Sequence, residues 1–274
     1  MFRARRMLLE TRNTLLRLVQ GQRAGPRVFG IGSAKSGTHT IGRMFKDRLV
    51  SAHEMDAEHL IKLHLDRVET GDSTKLHQYI LARDWRRNLK IDASQVNIYL
   101  MDDIEALFPD SLYILTVRPP LSWLRSMLDD SLRRGTSDTW IRFRDYRFGP
   151  ATGHPAEEIA LAEKGLHTLD GYLRYWRFAV EEALSKIPSN RCLIVPTYEI
   201  STRHEEIARF CGIEDSRKPP ATAHEFRNPR RFGVLDALSD GYLIDKVERI
   251  AGDTARAVFP DWTPQTDLAR AQND

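Results

Sequence analysis

Only two of the 274 residues are cysteine, Cys192 and Cys211, too few for a disulfide framework. Both stand beside apolar residues, so they read as buried thiols of a reducing, cytoplasmic setting. Long apolar runs are missing as well. A membrane-spanning helix needs roughly 18–20 such residues, and the longest runs here, residues 112–117 and 192–195, have the length of strands. The chain has no C-x-x-C, no H-E-x-x-H and no G-x-S-x-G. His59 and His64 are five apart, on different faces of any helix, so no metal site is expected. There is no internal repeat and no low-complexity segment.

A basic body is also lacking. The net charge is +3, but residues 1–27 carry seven arginines against Glu10 alone, which leaves the remainder at −3. A nucleic-acid partner is therefore not expected. Glu10 and Arg12 interrupt residues 7–9 before they can form the apolar centre of a secretory signal. As a helix, the arm gathers Leu8, Leu15, Leu18 and Val19 near one face with arginines on the others. That suits a surface helix or tail, with peripheral membrane contact as the other reading. Gly21, Gly25 and Pro26 separate this basic arm, residues 1–26, from a single domain over residues 27–274. At 41% hydrophobic, the chain can build a core without staples.

Within that domain three apolar runs read as buried strands: residues 27–32 (RVFGIG), 112–117 (LYILTV) and 192–195, with a short one at 89–91. Helical spacing covers residues 38–48, 57–69, 73–86, 98–107, 121–133, 169–186, 202–211 and 242–258. Residues 135–165 look irregular, punctuated by Gly149, Pro150, Gly153 and Pro155, and residues 217–233 form a proline-rich basic loop. Strands alternating with helices predict an α/β fold, a three-layer parallel sheet flanked by helices. Ligands of such sheets bind beyond the carboxyl ends of the strands, so the loops after Gly32, Val117 and Val195 are the places to look.

The first of these loops reads Gly32-Ser33-Ala34-Lys35-Ser36-Gly37-Thr38-His39-Thr40 and opens a helix. Free amides at a helix N-terminus, about half a positive charge from the dipole, the Lys35 ammonium and the Thr38 and Thr40 hydroxyls suit a phosphate-like anion. Gly32 and Gly37 have the spacing of an ATP-binding loop. That motif needs lysine and then serine or threonine directly after the second glycine, where this chain has Thr38 and His39.

The lysine-before-glycine loop K-S-G-T resembles instead that of the sulfotransferases, which take a sulfuryl group from 3′-phosphoadenosine 5′-phosphosulfate (PAPS) and release 3′-phosphoadenosine 5′-phosphate (PAP). The resemblance implies a P-loop nucleoside-triphosphate-hydrolase-like fold, with Lys35, Ser36, Gly37, Thr38, His39 and Thr40 at the 5′-phosphosulfate. Residues 115–126 (LTVRPPLSWLRS) look like the family's second motif, so Arg118 and Ser126 are expected at the 3′-phosphate. An arginine offers a bidentate fork, and a serine on the next helix can reach the same anion.

Weaker likenesses extend the match. Residues 92–99 with Phe108-Pro109-Asp110 are similar to the stretch before that motif in bacterial members. Val195-Pro196-Thr197-Tyr198-Glu199 implies Tyr198 beside the adenine, and Arg230 and Arg231 suggest closure over the 3′-phosphate. Two departures stand out. His39 replaces a commoner hydroxyl residue, and Pro119 stands where the family often has aspartate, so the following helix must be capped from elsewhere.

In carbohydrate- and bacterial-type members the base is a glutamate about twenty residues beyond the loop, which implies Glu54, with His53 second. The expected reaction is in-line sulfuryl transfer to a hydroxyl, Lys35 stabilising the leaving oxygen and no metal taking part. A glycan, a lipid-linked sugar or a small metabolite would be the acceptor. Residues 57–86 and 135–165, with Trp140, Arg142, Phe143, Arg144, Tyr146 and Arg147, are expected to line its pocket. Trp85, Trp123, Trp140 and Trp176 read as core. The alternatives are a P-loop kinase using ATP–Mg²⁺ and a non-catalytic nucleotide-binding protein.

Overall fold

A computed structural model describes residues 26–45, 51–133, 135, 137–213 and 231–273. Residues 1–25 of the basic arm, the end of the first predicted helix at 46–48, and Arg230 with most of its loop lie outside them.

Five strands form one sheet: β1 (Val28–Ile31), β2 (Ser51–His53), β3 (Ile91–Ala93), β4 (Leu112–Val117) and β5 (Cys192–Pro196), in the order β2-β3-β1-β4-β5. Every pairing is parallel, with Val28 opposite both Ile91 and Leu112, and Tyr113 opposite Cys192. Buried on both faces, β1 and β4 read as continuous apolar runs, and their alternate residues sort to opposite sides. Val28 and Ile114 join one apolar cluster with Ile41, Met44 and Ile207. Phe29, Ile31, Tyr113, Leu115 and Val117 join the larger cluster on the other side with Leu60, Trp123 and Trp176. This period-two partition produces the three layers.

The thin layer holds α1 (Thr38–Met44) and a later helix, His204–Phe210. The thick layer holds α2 (Ala57–Thr70), α3 (Thr74–Arg87), α4 (Met101–Leu107), α5 (Pro120–Arg133), α6 (Asp138–Phe148), α7 (Ile159–Ala162) and α8 (Leu169–Lys186). His204–Phe210 is α9; α10 (Asp240–Val258) and α11 (Pro264–Asn273) complete the thick layer. The chain runs from β1 toward the β2–β3 side and returns past β1 to β4, so the connections diverge at β1. In an open parallel sheet that divergence leaves a crevice at the carboxyl edge.

Pro119 leaves α5 without a local cap, and the substitute comes from the far end of the chain. The Asp267 carboxylate of α11 accepts from the Leu121 N–H at 2.8 Å and the Ser122 N–H at 3.2 Å, and the Trp262 indole N–H at 3.1 Å holds it in place. A side-chain oxygen on first-turn amides is the ordinary capping device, here supplied across the fold.

Four expectations need correction. Residues 135–165 contain α6, a 3-10 turn at Ala156–Glu158 and α7. Arginines at 142, 144 and 147 break up the apolar stripe of α6, yet Phe143 and Phe148 are buried and Gly149 ends the helix at φ +76°. The polar sequence of α11 hid a helix that is anchored through Asp267. Trp85 is 60% exposed on α3, while Trp123 and Trp176 are fully buried. Cys211 is a buried thiol, but Cys192 on the edge strand β5 is only half-buried. Burial pushes Cys192 up to about 11 and Cys211 up to about 12.

Candidate active site

The loop between β1 and α1 is held by the core from three sides. A Cβ on Gly32 (φ +131°) would lie 2.4 Å from the Thr116 carbonyl oxygen, and one on Gly37 (φ +112°) 2.5 Å from Ile200 Cδ1. Only glycine fits either place. The Ala34 N–H donates to the Tyr175 hydroxyl at 3.1 Å, and the Ala34 carbonyl accepts from the Trp123 indole at 2.6 Å. The Ser36 hydroxyl turns inward, donating to the Ser33 carbonyl at 2.7 Å and lying 2.9 Å from the Thr116 hydroxyl. Thr197, just past β5, hydrogen-bonds the Ser36 carbonyl and lies 3.0 Å from that of Val117. The cradle is therefore preorganised. The Thr38 and His39 amides lie in the first turn of α1, whose N–H groups point toward the loop.

Lys35 sits at φ +65°, a left-handed conformation that costs a non-glycine residue about 1–2 kcal/mol. Its ammonium lies 3.4 Å from Asp130 Oδ1 on α5, and the same oxygen accepts from Arg133 at 2.9 Å. Glu54 shares the conformation at φ +49°, immediately after β2, and its N–H donates to the Ala93 carbonyl at 3.0 Å. Among the described residues Asp56 (φ +62°) and Asn88 (φ +47°) adopt it too, each beside a helix end.

The structure brings His39, Thr38, His53 and Glu54 together at the ends of β1 and β2. Thr38 Oγ1 is 3.4 Å from His53 Nε2, the His39 and His53 rings meet edge-on at 4.8 Å, and His53 Nε2 is 3.9 Å from Glu54 Oε1. Burial, with repulsion from His53 and Arg43, lowers His39 to about 4, so near neutral pH this ring is uncharged. The Glu54 side chain keeps 21% of its surface exposed.

Arg118 stands at the end of β4, next to β1 in the sheet. Its Nε donates to the Ser122 hydroxyl at 2.8 Å, and its carbonyl accepts from the Trp176 indole at 2.9 Å. Ser126 lies one turn beyond Ser122 on the same face of α5, and Asp130, the partner of Lys35, one turn further. One face of α5 thus runs from Arg118 to Lys35. Tyr198 follows β5, half exposed, with the Arg270 guanidinium 4.3 Å above its ring. Arg231 donates to the Gln272 carbonyl at 3.1 Å, and its neighbour Phe232 donates to Asp129 at 3.0 Å.

Sequence reasoning missed the supports: Thr116, Ser122, Asp130, Tyr175, Thr197 and Gln95, whose amide donates to Glu54 Oε1 at 2.6 Å. Only the four-residue spacing of Ser122, Ser126 and Asp130 carried a readable signal. Among the described residues, no group of three or more His, Cys, Asp or Glu side chains is arranged to hold a metal ion, and no helix is long and apolar enough to cross a membrane.

The family profile described as "Sulfotransferase domain" matches residues 27–195, from the entry to β1 to the end region of β5. No curated protein matches the chain. Among solved structures it is similar to a sulfotransferase from Alicyclobacillus acidocaldarius, with 15% identity, 84% of this chain and 96% of that one covered, and a TM-score of 0.46. It is similar to sulfotransferase STF1 of Mycobacterium tuberculosis H37Rv at 15% identity, 89% and 82% coverage and TM-score 0.46. The sulfotransferase domain of the Synechococcus PCC 7002 olefin synthase gives 17%, 92%, 94% and 0.40.

Proposed function

Because this chain belongs to the sulfotransferase family, matched from residue 27 to residue 195, we propose that it moves a sulfuryl group from PAPS to a hydroxyl acceptor and releases PAP. One observation carries the reading: the lysine-bearing loop and Arg118 end adjacent strands, β1 and β4, and the same face of α5 touches both side chains. A donor with two separate phosphate-type groups needs two such anchors.

In this reading the Lys35, Ser36, Gly37, Thr38, His39 and Thr40 segment receives the phosphosulfate through main-chain amides, the Lys35 ammonium and the Thr38 and Thr40 hydroxyls. The inward Ser36 hydroxyl braces the loop, so its contribution is through the backbone. Arg118 and Ser126 receive the 3′-phosphate, each hydrogen bond to that anion worth about 1.5–3 kcal/mol. Tyr198 borders the adenine, and Arg230 and Arg231 close over the far phosphate. Neutral His39 offers a hydrogen bond in place of a charge.

The donor supplies an electrophilic sulfur. The acceptor oxygen attacks it, the bond from sulfur to the phosphate oxygen breaks, and Lys35 offsets the charge that develops there. Glu54 takes the acceptor proton, a role worth about 10²–10⁴-fold, with His53 beside it as the second candidate. The acceptor is a glycan, a lipid-linked sugar or a small metabolite. Two free cysteines, too few for a disulfide framework, support a cytoplasmic setting, with any peripheral membrane contact left to the basic arm.

The test is transfer of labelled sulfate from PAPS to a panel of hydroxyl acceptors. Wild-type protein transfers label without added metal, and Lys35→Met and Glu54→Gln transfer it about a hundredfold or more slowly. Phosphoryl transfer from ATP–Mg²⁺ in its place would assign a kinase. PAP binding without any transfer would leave a nucleotide-binding protein.

A further inference from the structure

Gln95 sits two residues beyond β3, in a turn that needs nothing from its side chain. The Ser94 N–H donates to the Gly30 carbonyl at 3.1 Å, and the Ser94 hydroxyl accepts from the Val96 N–H at 3.1 Å. Asn97 Nδ2 donates to the Asp92 carbonyl at 2.9 Å and the Gly30 carbonyl at 3.2 Å. The half-buried Gln95 side chain instead spans a gap between two charges. Its Nε2 donates to Glu54 Oε1 at 2.6 Å, and its Oε1 accepts from Arg147 Nη1 at 2.6 Å.

Guanidinium only donates and an ionised carboxylate only accepts, so a single orientation of the amide satisfies both ends. Arg147 is itself fixed by three rings, its guanidinium carbon 4.6 Å from the Phe143 centroid, 4.8 Å from that of Phe148 and 5.3 Å from that of Tyr175. Tyr175 also holds the Ala34 amide, so the same ring orients this chain of bonds and the phosphate loop.

Resting on the proposed role of Glu54, we infer that Gln95, oriented by Arg147, is a positioning residue. It pins Glu54 through Oε1 and leaves Oε2 to take the acceptor proton. In that step the acceptor O–H proton passes to Oε2 as the oxygen–sulfur bond forms and the sulfur–phosphate oxygen bond of the donor breaks. Gln95 and Arg147 keep their protons throughout, and Glu54 later releases its own to solvent.

The experiment compares Gln95→Leu, Arg147→Lys, Glu54→Gln and the double variant Glu54→Gln/Gln95→Leu. Turnover is read as sulfate released from PAPS with water as acceptor, beside PAP affinity and melting temperature. The expected result for Gln95→Leu is a fall in kcat of about ten- to hundredfold, the scale of a misplaced reacting group, with donor KM, PAP affinity and melting temperature unchanged. Arg147→Lys, which keeps a donor, retains more activity than Gln95→Leu. In the Glu54→Gln background, Gln95→Leu costs nothing further. Full turnover in Gln95→Leu beside a slowed Glu54→Gln would overturn the inference while leaving Glu54 in place, and so would additive losses in the double variant. Full turnover in Glu54→Gln would instead overturn the role of Glu54 itself. A crystal structure with the Gln95 amide turned away from Glu54 overturns the inference whatever the rates.

Discussion

Replacing Asp267 with alanine tests how an element outside the family match supports the candidate site. The carboxylate is buried and receives two amides of the first turn of α5 and the Trp262 indole. Losing an N-cap acceptor costs about 1–2 kcal/mol. The indole N–H left buried without a partner adds about 1–3 kcal/mol. Asp267→Ala should therefore lower stability by about 3 kcal/mol in urea unfolding, the two contributions taken together. Asp267→Asn, which keeps one acceptor oxygen, should fall between wild type and alanine. The first turn of α5 also carries Ser122, the partner of Arg118, so PAP affinity should weaken in the same order as stability. A loss for Asp267→Ala within about 0.5 kcal/mol, the noise expected of a plain surface substitution, would refute the reasoning.

Further outcomes are as definite. His64 is 1% exposed and is lowered from 6.5 to about 4, first by burial and then by the neighbouring Arg67. The unfolded chain takes up that proton and the folded chain does not, so stability falls as pH drops from 6.5 toward 4, by up to about 3 kcal/mol. His64→Asn, which preserves an acceptor for Arg67 at the Nδ1 position, should flatten that part of the pH profile in urea titrations. An identical slope in both proteins would contradict it. Gly32→Ala should destabilise far more than Gly71→Ala. Both glycines have positive φ, but a Cβ at 71 meets open space and one at 32 meets the Thr116 carbonyl. Equal unfolding midpoints for the two variants would count against a tightly held loop.

The parallel sheet was legible because β1 and β4 are buried on both faces and bounded by turn residues. The loop between β1 and α1 was legible because its backbone admits so few side chains: Gly32, Lys35 and Gly37 all adopt positive φ. What stayed hidden was whatever depends on partners far along the chain. Asp267 reaches the Leu121 amide across 146 positions, and Tyr175 the Ala34 amide across 141. Neither leaves a local trace. Helix α6 was missed because its arginines face aromatic neighbours as well as solvent, Arg147 lying over three rings, so no clean apolar stripe forms. Glu54 could be singled out from its distance beyond the loop, whereas Gln95 carries no pattern and emerges only from the geometry.

Calorimetric titration with PAP, adenosine 5′-phosphate and ATP–Mg²⁺ against wild type and Arg118→Ala addresses the two-anchor donor site most directly. The account predicts that PAP binds wild type ten- to hundredfold more tightly than adenosine 5′-phosphate, the worth of about one or two charged hydrogen bonds. Arg118→Ala should shrink that difference about tenfold, the worth of one charged hydrogen bond, Ser126 keeping the rest, with ATP–Mg²⁺ the weakest ligand. Tighter binding of ATP–Mg²⁺ than of PAP, or an undiminished preference for PAP in Arg118→Ala, would contradict it.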